Sequence, residues 1–245
     1  SPRMIDGERT YVDRDPIDAS NALKQHAAYC ALLGECGAAV RVLEMNRDLP
    51  DAVFVEDTAV VLDELAVMMS MGADSRRREP AGIESVLREY RDIARVELPA
   101  TIDGGDVVVV ARTILVGASS RTSRAGIDAL AAIVTPLGYR VLGVPVTGCL
   151  HLKTACTALP DDRLIVNRDL IDTRPLAGFD LVDVPPHEAY AADVAMVDGH
   201  VVVSAAYPDT AELLAASGYS VRPIDVSEFA KAEGGVTCMS LIFAS

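Results

Sequence analysis

One arrangement of residues recurs along most of the chain and limits the available folds more than any single motif does. Two short apolar runs are followed by a stretch of helical pattern and then by a further apolar run. The unit returns at intervals of about 40 to 50 residues, the range in which periodicity signals an array of stacked units. The first copy is Ala59–Leu62, Leu65–Ser70, a helix from about Pro80 to Arg91, and Ile93–Leu98, with Asp63-Glu64 suited to a hairpin turn. The second is Val107–Val110, Ile114–Gly117, a helix carrying Ile127, Leu130, Val134 and Leu137, and Arg140–Val146. The third is Ala155–Leu159, Leu164–Asn167, a short and weakly patterned helix near Asp169, and Leu181–Val184. The fourth is Val194–Val197, His200–Ser204, a helix from Pro208 to about Ser217, and Ser220–Ile224.

The two ends of the chain depart from this plan in complementary ways. A helix from Pro16 to about Cys36 places Leu23, Ala27, Cys30 and Gly34 on one stripe, Gly37 ends it, and Val40–Leu43 reads as a strand. That unit has no opening strands. At the other end, the segment around Cys238 reads as a strand left over. A deficient unit at one end and a surplus strand at the other predict ring closure, which also removes exposed sheet edges. The strand ends of every unit then converge on one axis, where a site is built. A doubly wound sheet is the alternative, but paired strands between helices fit it poorly. No linker divides residues 1–245, so the expectation is a single domain.

Composition narrows the function. The chain has 245 residues, half of them hydrophobic, enough for a large core. No apolar stretch approaches the roughly 20 residues that span a bilayer. No signal peptide is visible, and the opening Ser1-Pro2-Arg3 predicts trimming or processing at that end. A net charge of −14 repels nucleic acid and anionic membranes and mildly favours a small cationic ligand, although solubility alone also accounts for such a charge. The five cysteines have neither C-x-x-C spacing nor a disulfide framework, which points to a reducing cytoplasm and away from structural zinc.

The chemistry-bearing residues fall between the repeated runs. Cys238 follows Gly234-Gly235 at the start of an apolar run. Alone it reads as a buried structural thiol; it becomes a nucleophile only if a base and charged groups serve it. His151 lies in a connecting loop, where a local hydrogen-bonding role competes with proton transfer. Asp103 and Asp106 flank Gly104-Gly105 just before a strand, the pattern of a turn or of a site that orients an imidazole. Asp51, Glu56 and Asp57 form a further acidic group, with Glu56 and Asp57 expected at a strand end. Adjacent carboxylates need a cation: a guanidinium supplies planar, charge-assisted partners, and a divalent metal is the rival, with few further ligands nearby. Arg76 to Arg78 and the pair Arg121 and Arg124 are either solvated charge or a clamp for a carboxylate. Together these features describe a zwitterionic ligand with a cationic tail. Phosphate-binding and dinucleotide fingerprints, a Gly-x-Ser-x-Gly elbow and HExxH are all missing.

Six ordered segments then carry a resemblance. They are Asp51 to Asp57, Gly72 to Arg77, Asp103 to Val107, Arg121-Thr122, His151 to Thr154, and Gly234 to Ser240. Over essentially the whole chain they resemble the dimethylarginine dimethylaminohydrolase family of the pentein, or amidinotransferase-like, superfamily. The resemblance implies a five-unit pseudo-symmetric α/β propeller and hydrolysis of Nω-methylated arginines to citrulline and a methylamine. It implies Cys238 as nucleophile, His151 as general acid and base, and Asp103 as the acid that orients the histidine. It implies Glu56 and Asp57 at the guanidinium end, Asp51 near the α-amino group, Arg76 and Arg121 at the carboxylate, and the backbone of Ala232 and Glu233 beside the substrate. It implies neither a metal nor an organic cofactor. Arginine deiminase-like hydrolysis and non-catalytic binding of cationic amino acids are the alternatives, and a homodimer is left open.

Overall fold

The computed structural model describes residues 3–244; Ser1 and Pro2, at the end where trimming is expected, and Ser245 lie outside them. Four sheets of three strands each form most of the molecule. The first holds β1 (Ala59–Val61), β2 (Leu65–Met68) and β3 (Asp92–Arg95), with helix α2 (Glu79–Leu87) between β2 and β3. The second holds β4 (Val107–Val110), β5 (Thr113–Ala118) and β6 (Arg140–Pro145), with α3 (Arg124–Val134) before β6. The third holds β7 (Cys156–Leu159), β8 (Arg163–Val166) and β9 (Asp180–Asp183), and the fourth β10 (Val194–Val197), β11 (His200–Ser204) and β12 (Ser220–Ile224), with α5 (Pro208–Ala216) before β12. A one-turn helix, α4 (Leu152–Ala155), precedes β7, and another, α6 (Ser227–Ala230), follows β12.

Every sheet has the same wiring. Its first and second strands form an antiparallel hairpin, and its second and third are parallel. Parallel neighbours require a crossover, which the helix supplies in three of the four sheets. In the third sheet the crossover holds only a 3-10 turn, Arg174–Leu176, in place of the helix expected near Asp169. Pro175 sits in its first turn, and the buried Leu176 is its anchor. Helix α3 shows why the other crossovers are helical. Ser123 caps its N-terminus by accepting from the Gly126 amide, and Ile127, Leu130 and Val134 form its buried face. The middle strands are the best buried, and the third strands, at the outer edge, are the most exposed.

The ends of the chain meet, but not as strands. Neither residues 40–43 nor the segment around Cys238 has strand structure; Thr237 to Met239 form turns. The side of the ring between the fourth sheet and the first is instead filled by α1 (Ala19–Glu35) and the C-terminal segment. Backbone groups there find other partners. The Tyr29 hydroxyl donates to the Val236 carbonyl at 2.7 Å and lies 2.7 Å from Ser240 Oγ, while the Glu56 amide donates to the Cys238 carbonyl at 3.2 Å. Leu43 and Met45 pack with Leu241 and Phe243 against the first sheet. The buried face of α1 also differs from the expected stripe. Tyr29, Leu32 and Leu33 are buried, whereas Leu23 is 73 % exposed. The helix begins at Ala19, where Asp18 caps it, rather than at Pro16. Among the described residues, no helix is long and apolar enough to cross a membrane.

Tyr29 therefore joins the first helix to the segment that bears Cys238. Replacing it by Phe keeps the ring but strips a buried carbonyl of its partner, which costs about 1–3 kcal/mol. Urea unfolding of Tyr29→Phe is expected to show that loss; an unchanged midpoint and slope would contradict the role given to this contact.

Candidate active site

The site is assembled from the turns that lead into the first strand of each sheet. Glu56 and Asp57 lie on a 3-10 turn, Val55–Thr58, that precedes β1, and not at the end of a strand as their apolar neighbours Val53 to Val55 suggest. Asp106 lies on the 3-10 turn Gly104–Asp106 that precedes β4, with Asp103 just ahead of it. His151 stands before α4 and β7, and Asp193 directly before β10. Thr237 and Cys238 occupy the corresponding place in the part of the ring that has no sheet.

Adjacent turns are linked by carboxylates. The Gly105 amide donates to Asp57 Oδ1 at 2.9 Å, the Leu152 amide to Asp106 Oδ1 at 2.9 Å, and the Thr237 amide to Asp193 Oδ1 at 3.0 Å. The glycines make these approaches possible. A Cβ at Gly105 would collide with Asp57 and His151, and one at Gly104 with the Glu56 carbonyl. One at Gly235 would overlap Asp193, and one at Gly234 would overlap Phe54.

His151 is buried between two acids. Its Nε2 lies 3.2 Å from Asp103 Oδ2, and its Nδ1 lies 3.6 Å from Asp57 Oδ1. Burial disfavours the imidazolium, but the charge of Asp57, the bond to Asp103 and the charge of Asp106 outweigh it and raise the pKa to about 9. Asp103 is fixed in turn, since its Oδ1 accepts from the Gly72 amide at 2.7 Å. Asp106 accepts from Ser119 Oγ at 2.6 Å and Thr122 Oγ1 at 2.7 Å, which ties the Arg121 loop to the same centre. Burial raises its pKa to about 6.

Asp57 is held ionised. Burial opposes its charge, but His151 and Arg76 lower its pKa to about 2. Arg76 is buried and its donors are engaged: Nη1 bonds Asp57 Oδ2 at 2.5 Å, Nη2 bonds Glu79 Oε2 at 2.8 Å, and Nη2 also reaches the Phe54 carbonyl at 3.0 Å. Cys238 is half-buried, and its Sγ accepts from the Gly235 amide at 3.3 Å. Burial, then the negative charges of Asp193, Glu56 and Asp57, push its thiol well up. These surroundings favour the thiol form of Cys238 and the imidazolium form of His151.

Most of the residues singled out in the sequence line one pocket. Asp51, Asp57, Arg76, Arg121, His151, Ala232, Glu233 and Cys238 all face it. Asp103 stands behind the imidazole. Glu56 stands behind Thr237: its Oε2 accepts from Thr237 Oγ1 at 2.8 Å, and its Oε1 takes Lys153 Nζ at 2.6 Å. Burial raises the Glu56 pKa against the pull of Lys153. The N-terminal segment covers the pocket. The Glu8 amide donates to Asp51 Oδ2 at 3.2 Å, and the Thr10 and Tyr11 amides donate to the Glu233 carboxylate at 2.6 and 2.5 Å. Arg121 Nη2 reaches Thr10 Oγ1 at 3.4 Å.

Three functional neighbours are missing from the sequence reading: Asp193, Glu79 and Lys153. Asp193 has the position before a first strand that Asp106 has before Val107, so the repeat itself was the available signal. Glu79 stands three residues after Arg76, and Lys153 two after His151, and neither spacing marks a partner. Single ligand atoms of Asp57, Asp103 and His151 lie within 4.8 Å of one another, close enough to share a cation. A proton on His151 and the guanidinium of Arg76 already meet that negative charge.

The pH dependence of stability follows from His151. The unfolded residue loses its proton near 6.5, the folded one near 9. Its stabilising contribution is therefore complete below about pH 6.5 and vanishes as the pH rises through about 9. Urea unfolding of the wild type and of His151→Gln across this window isolates it. The stability difference between the two is expected to shrink steadily as pH rises; a constant or growing difference would contradict an imidazolium held by Asp57 and Asp103.

The comparisons with known proteins agree with this geometry. Residues 44–190 match the family model described as arginine deiminase. The chain is 42 % identical to an N(G),N(G)-dimethylarginine dimethylaminohydrolase of Streptomyces coelicolor, over 98 % of this chain and 93 % of that one. It is 34 % identical to the enzyme of the same name from Pseudomonas aeruginosa, over 92 % and 90 %. A structure of dimethylarginine dimethylaminohydrolase from Pseudomonas aeruginosa, a cysteine-to-serine variant in complex with citrulline, superposes with a TM-score of 0.94 at 32 % identity, covering 99 % of this chain and 96 % of that one. The N-terminal domain of the arginine dihydrolase ArgZ, at 20 % identity and a TM-score of 0.82, shares the fold. The four-sheet ring and its shared centre are thus those of the penteins, and the chain belongs to the dimethylarginine dimethylaminohydrolases within the arginine deiminase family.

Proposed function

We propose that the chain hydrolyses Nω-methylated arginines to citrulline and dimethylamine or methylamine. The observation that carries this reading is the buried imidazolium of His151, set between Asp103 and Asp57 and facing the same pocket as the thiol of Cys238. An acid is in place for a leaving amine, and the thiol awaits a cation. A substrate guanidinium supplies that cation. Brought against Asp57 and Cys238, it offsets the negative charges that push the thiol up, and the thiolate becomes accessible only with substrate present.

The roles then follow from position. Asp57, with Glu56 and Asp193 behind the turn that bears Cys238, sets a negative potential at the guanidinium end. Asp51 receives the α-amino group. Arg121 takes the α-carboxylate; Arg76 adds positive charge from a fixed place, because Asp57 and Glu79 hold its donors. The Ala232–Glu233 backbone forms the adjoining wall. With substrate bound the Cys238 thiol releases its proton to water, and the thiolate Sγ attacks the guanidinium carbon and gives a neutral tetrahedral adduct. His151 transfers its proton to the methylated nitrogen, the C–N bond breaks, and a thiouronium remains on Cys238. The neutral imidazole next takes a proton from water as its oxygen adds to the same carbon. Expulsion of the Cys238 thiolate, with the hydroxyl proton of the adduct passing to the sulfur, leaves the ureido group of citrulline and restores the thiol. Asp103 keeps the ring oriented throughout. The five free thiols support placing the reaction in a reducing compartment such as the cytoplasm.

The direct test is to incubate the protein with asymmetric dimethylarginine, monomethylarginine and arginine and to measure citrulline and released amine. Equal amounts of citrulline and methylated amine from the first two are expected. Citrulline from arginine alone, or from none of the three, would overturn the assignment.

A further inference from the structure

A second cavity, of about 80 Å³, adjoins the catalytic pocket and takes no part in the chemistry described above. The two share the walls Leu150, Glu233 and Gly234. Its lining combines apolar groups with Asp193 and three tyrosines, Tyr11, Tyr190 and Tyr207. Asp193 is 7 % exposed and is oriented by the Thr237 amide on Oδ1. Its Oδ2 lies over Gly235, where any Cβ would displace it. Gly235 also lines the cavity, and its amide bonds the Cys238 sulfur at 3.3 Å. One residue of backbone thus separates the cavity from the reacting thiol. Tyr207 senses the same carboxylate: burial first, and then the charge of Asp193, raise its hydroxyl to about 12.

A carboxylate and aromatic rings lining one cavity are the chemistry that recognises an alkylated ammonium ion. The rings offer negative faces to the N-methyl groups, and the acid meets the charge. The volume admits a small guest, since one water needs roughly 10–15 Å³ of such space and about 80 Å³ holds a molecule of a few heavy atoms. We propose that this cavity binds a small alkylammonium ion and is the chamber that receives the amine released at Cys238. The identity of that amine as dimethylammonium rests on the hydrolase reading; the affinity of the cavity for an alkylammonium does not. The shared walls at Leu150 and Gly234 set the chamber beside the thiouronium carbon, and an amine held there leaves that carbon to water. No bond forms or breaks in the chamber. The proton from His151 becomes the N–H of a neutral amine as the C–N bond breaks; the amine takes a second proton from water, enters as the ammonium ion, and leaves past Tyr11 and Tyr190, which are 46 % and 40 % exposed.

Two measurements test this. In the first, dimethylammonium chloride is titrated into the Cys238→Ser protein and followed by line broadening of its methyl resonance, with ammonium as the control in calorimetry. Saturable binding that prefers dimethylammonium to ammonium is expected, and Tyr207→Leu or Tyr190→Leu in the same background should weaken it about tenfold. In the second, dimethylammonium is used as an inhibitor of methylarginine hydrolysis. A chamber beside the catalytic pocket predicts mixed or non-competitive inhibition, relieved by either tyrosine substitution while kcat/KM stays within about twofold. Purely competitive inhibition, absence of saturable binding, or binding indifferent to both tyrosines would overturn the proposal. Tyrosine-dependent binding without any citrulline production would uphold the chamber and sink the hydrolase reading, so the two failures are distinct.

Discussion

The structure depends on carboxylates that reach from one lead-in turn to a backbone amide of the next. Asp57 accepts from Gly105, Asp106 from Leu152 and Asp193 from Thr237. A buried carboxylate with no partner is costly, but one that accepts backbone N–H groups gains charge-assisted bonds of about 1.5–3 kcal/mol each. Each bond fixes one turn against the next. The sheets outside give rigidity and the acids inside set register. Burial still leaves its mark, for Asp106 and Asp193 are raised to about 6 and about 7. Asp57 escapes this because Arg76 and His151 sit on it.

The same bonds that close the ring tune the reacting groups. His151 is charged because the turns of the first and second sheets aim Asp57 and Asp103 at its two nitrogens. Burial first, and then the charges of Asp193, Glu56 and Asp57, favour the thiol of Cys238. On the proposed roles, the acid is ready at rest and the nucleophile is not. In our reading that asymmetry gives selectivity, since only a cation in the pocket makes the thiolate accessible, and water or neutral carbonyl compounds do not. The paired glycines contribute by bringing the protein's own site residues together, at Gly104-Gly105 around His151 and at Gly234-Gly235 around Asp193 and Phe54.

Much of this was legible from residue order, and the remainder was hidden for physical reasons. The four sheets were readable because β-branched runs such as Val107 to Val110 are bounded by polar turns and alternate with an amphipathic helix. The join between the ends was expected as a strand. It is made instead by Tyr29, Cys238 and Glu56, whose partners lie about 180 to 210 residues away in sequence and follow no periodicity. The buried face of α1 departs from the apolar stripe that Leu23 opens, because the volume to be filled favours Tyr29, Leu32 and Leu33. His151, Asp103 and Cys238 stood out within motifs. Asp193 did not, being a single acid in Ala191-Ala192-Asp193-Val194, and its importance appears only once the lead-in turns are seen to be equivalent. Arg76 was visible as part of a charge run, but its ion pairs with Asp57 and Glu79 were not.

The central claim is that Cys238 carries the substrate carbon between two half-reactions, driven by a guanidinium that meets its surrounding acids. Rapid quenching during turnover of asymmetric dimethylarginine, followed by peptide mass spectrometry, tests it most directly. The account predicts a transient adduct on the Cys238 peptide with the mass of substrate less dimethylamine, converted to free citrulline on further incubation. An adduct on another residue, or citrulline formed at full rate with no adduct at any time, would contradict it.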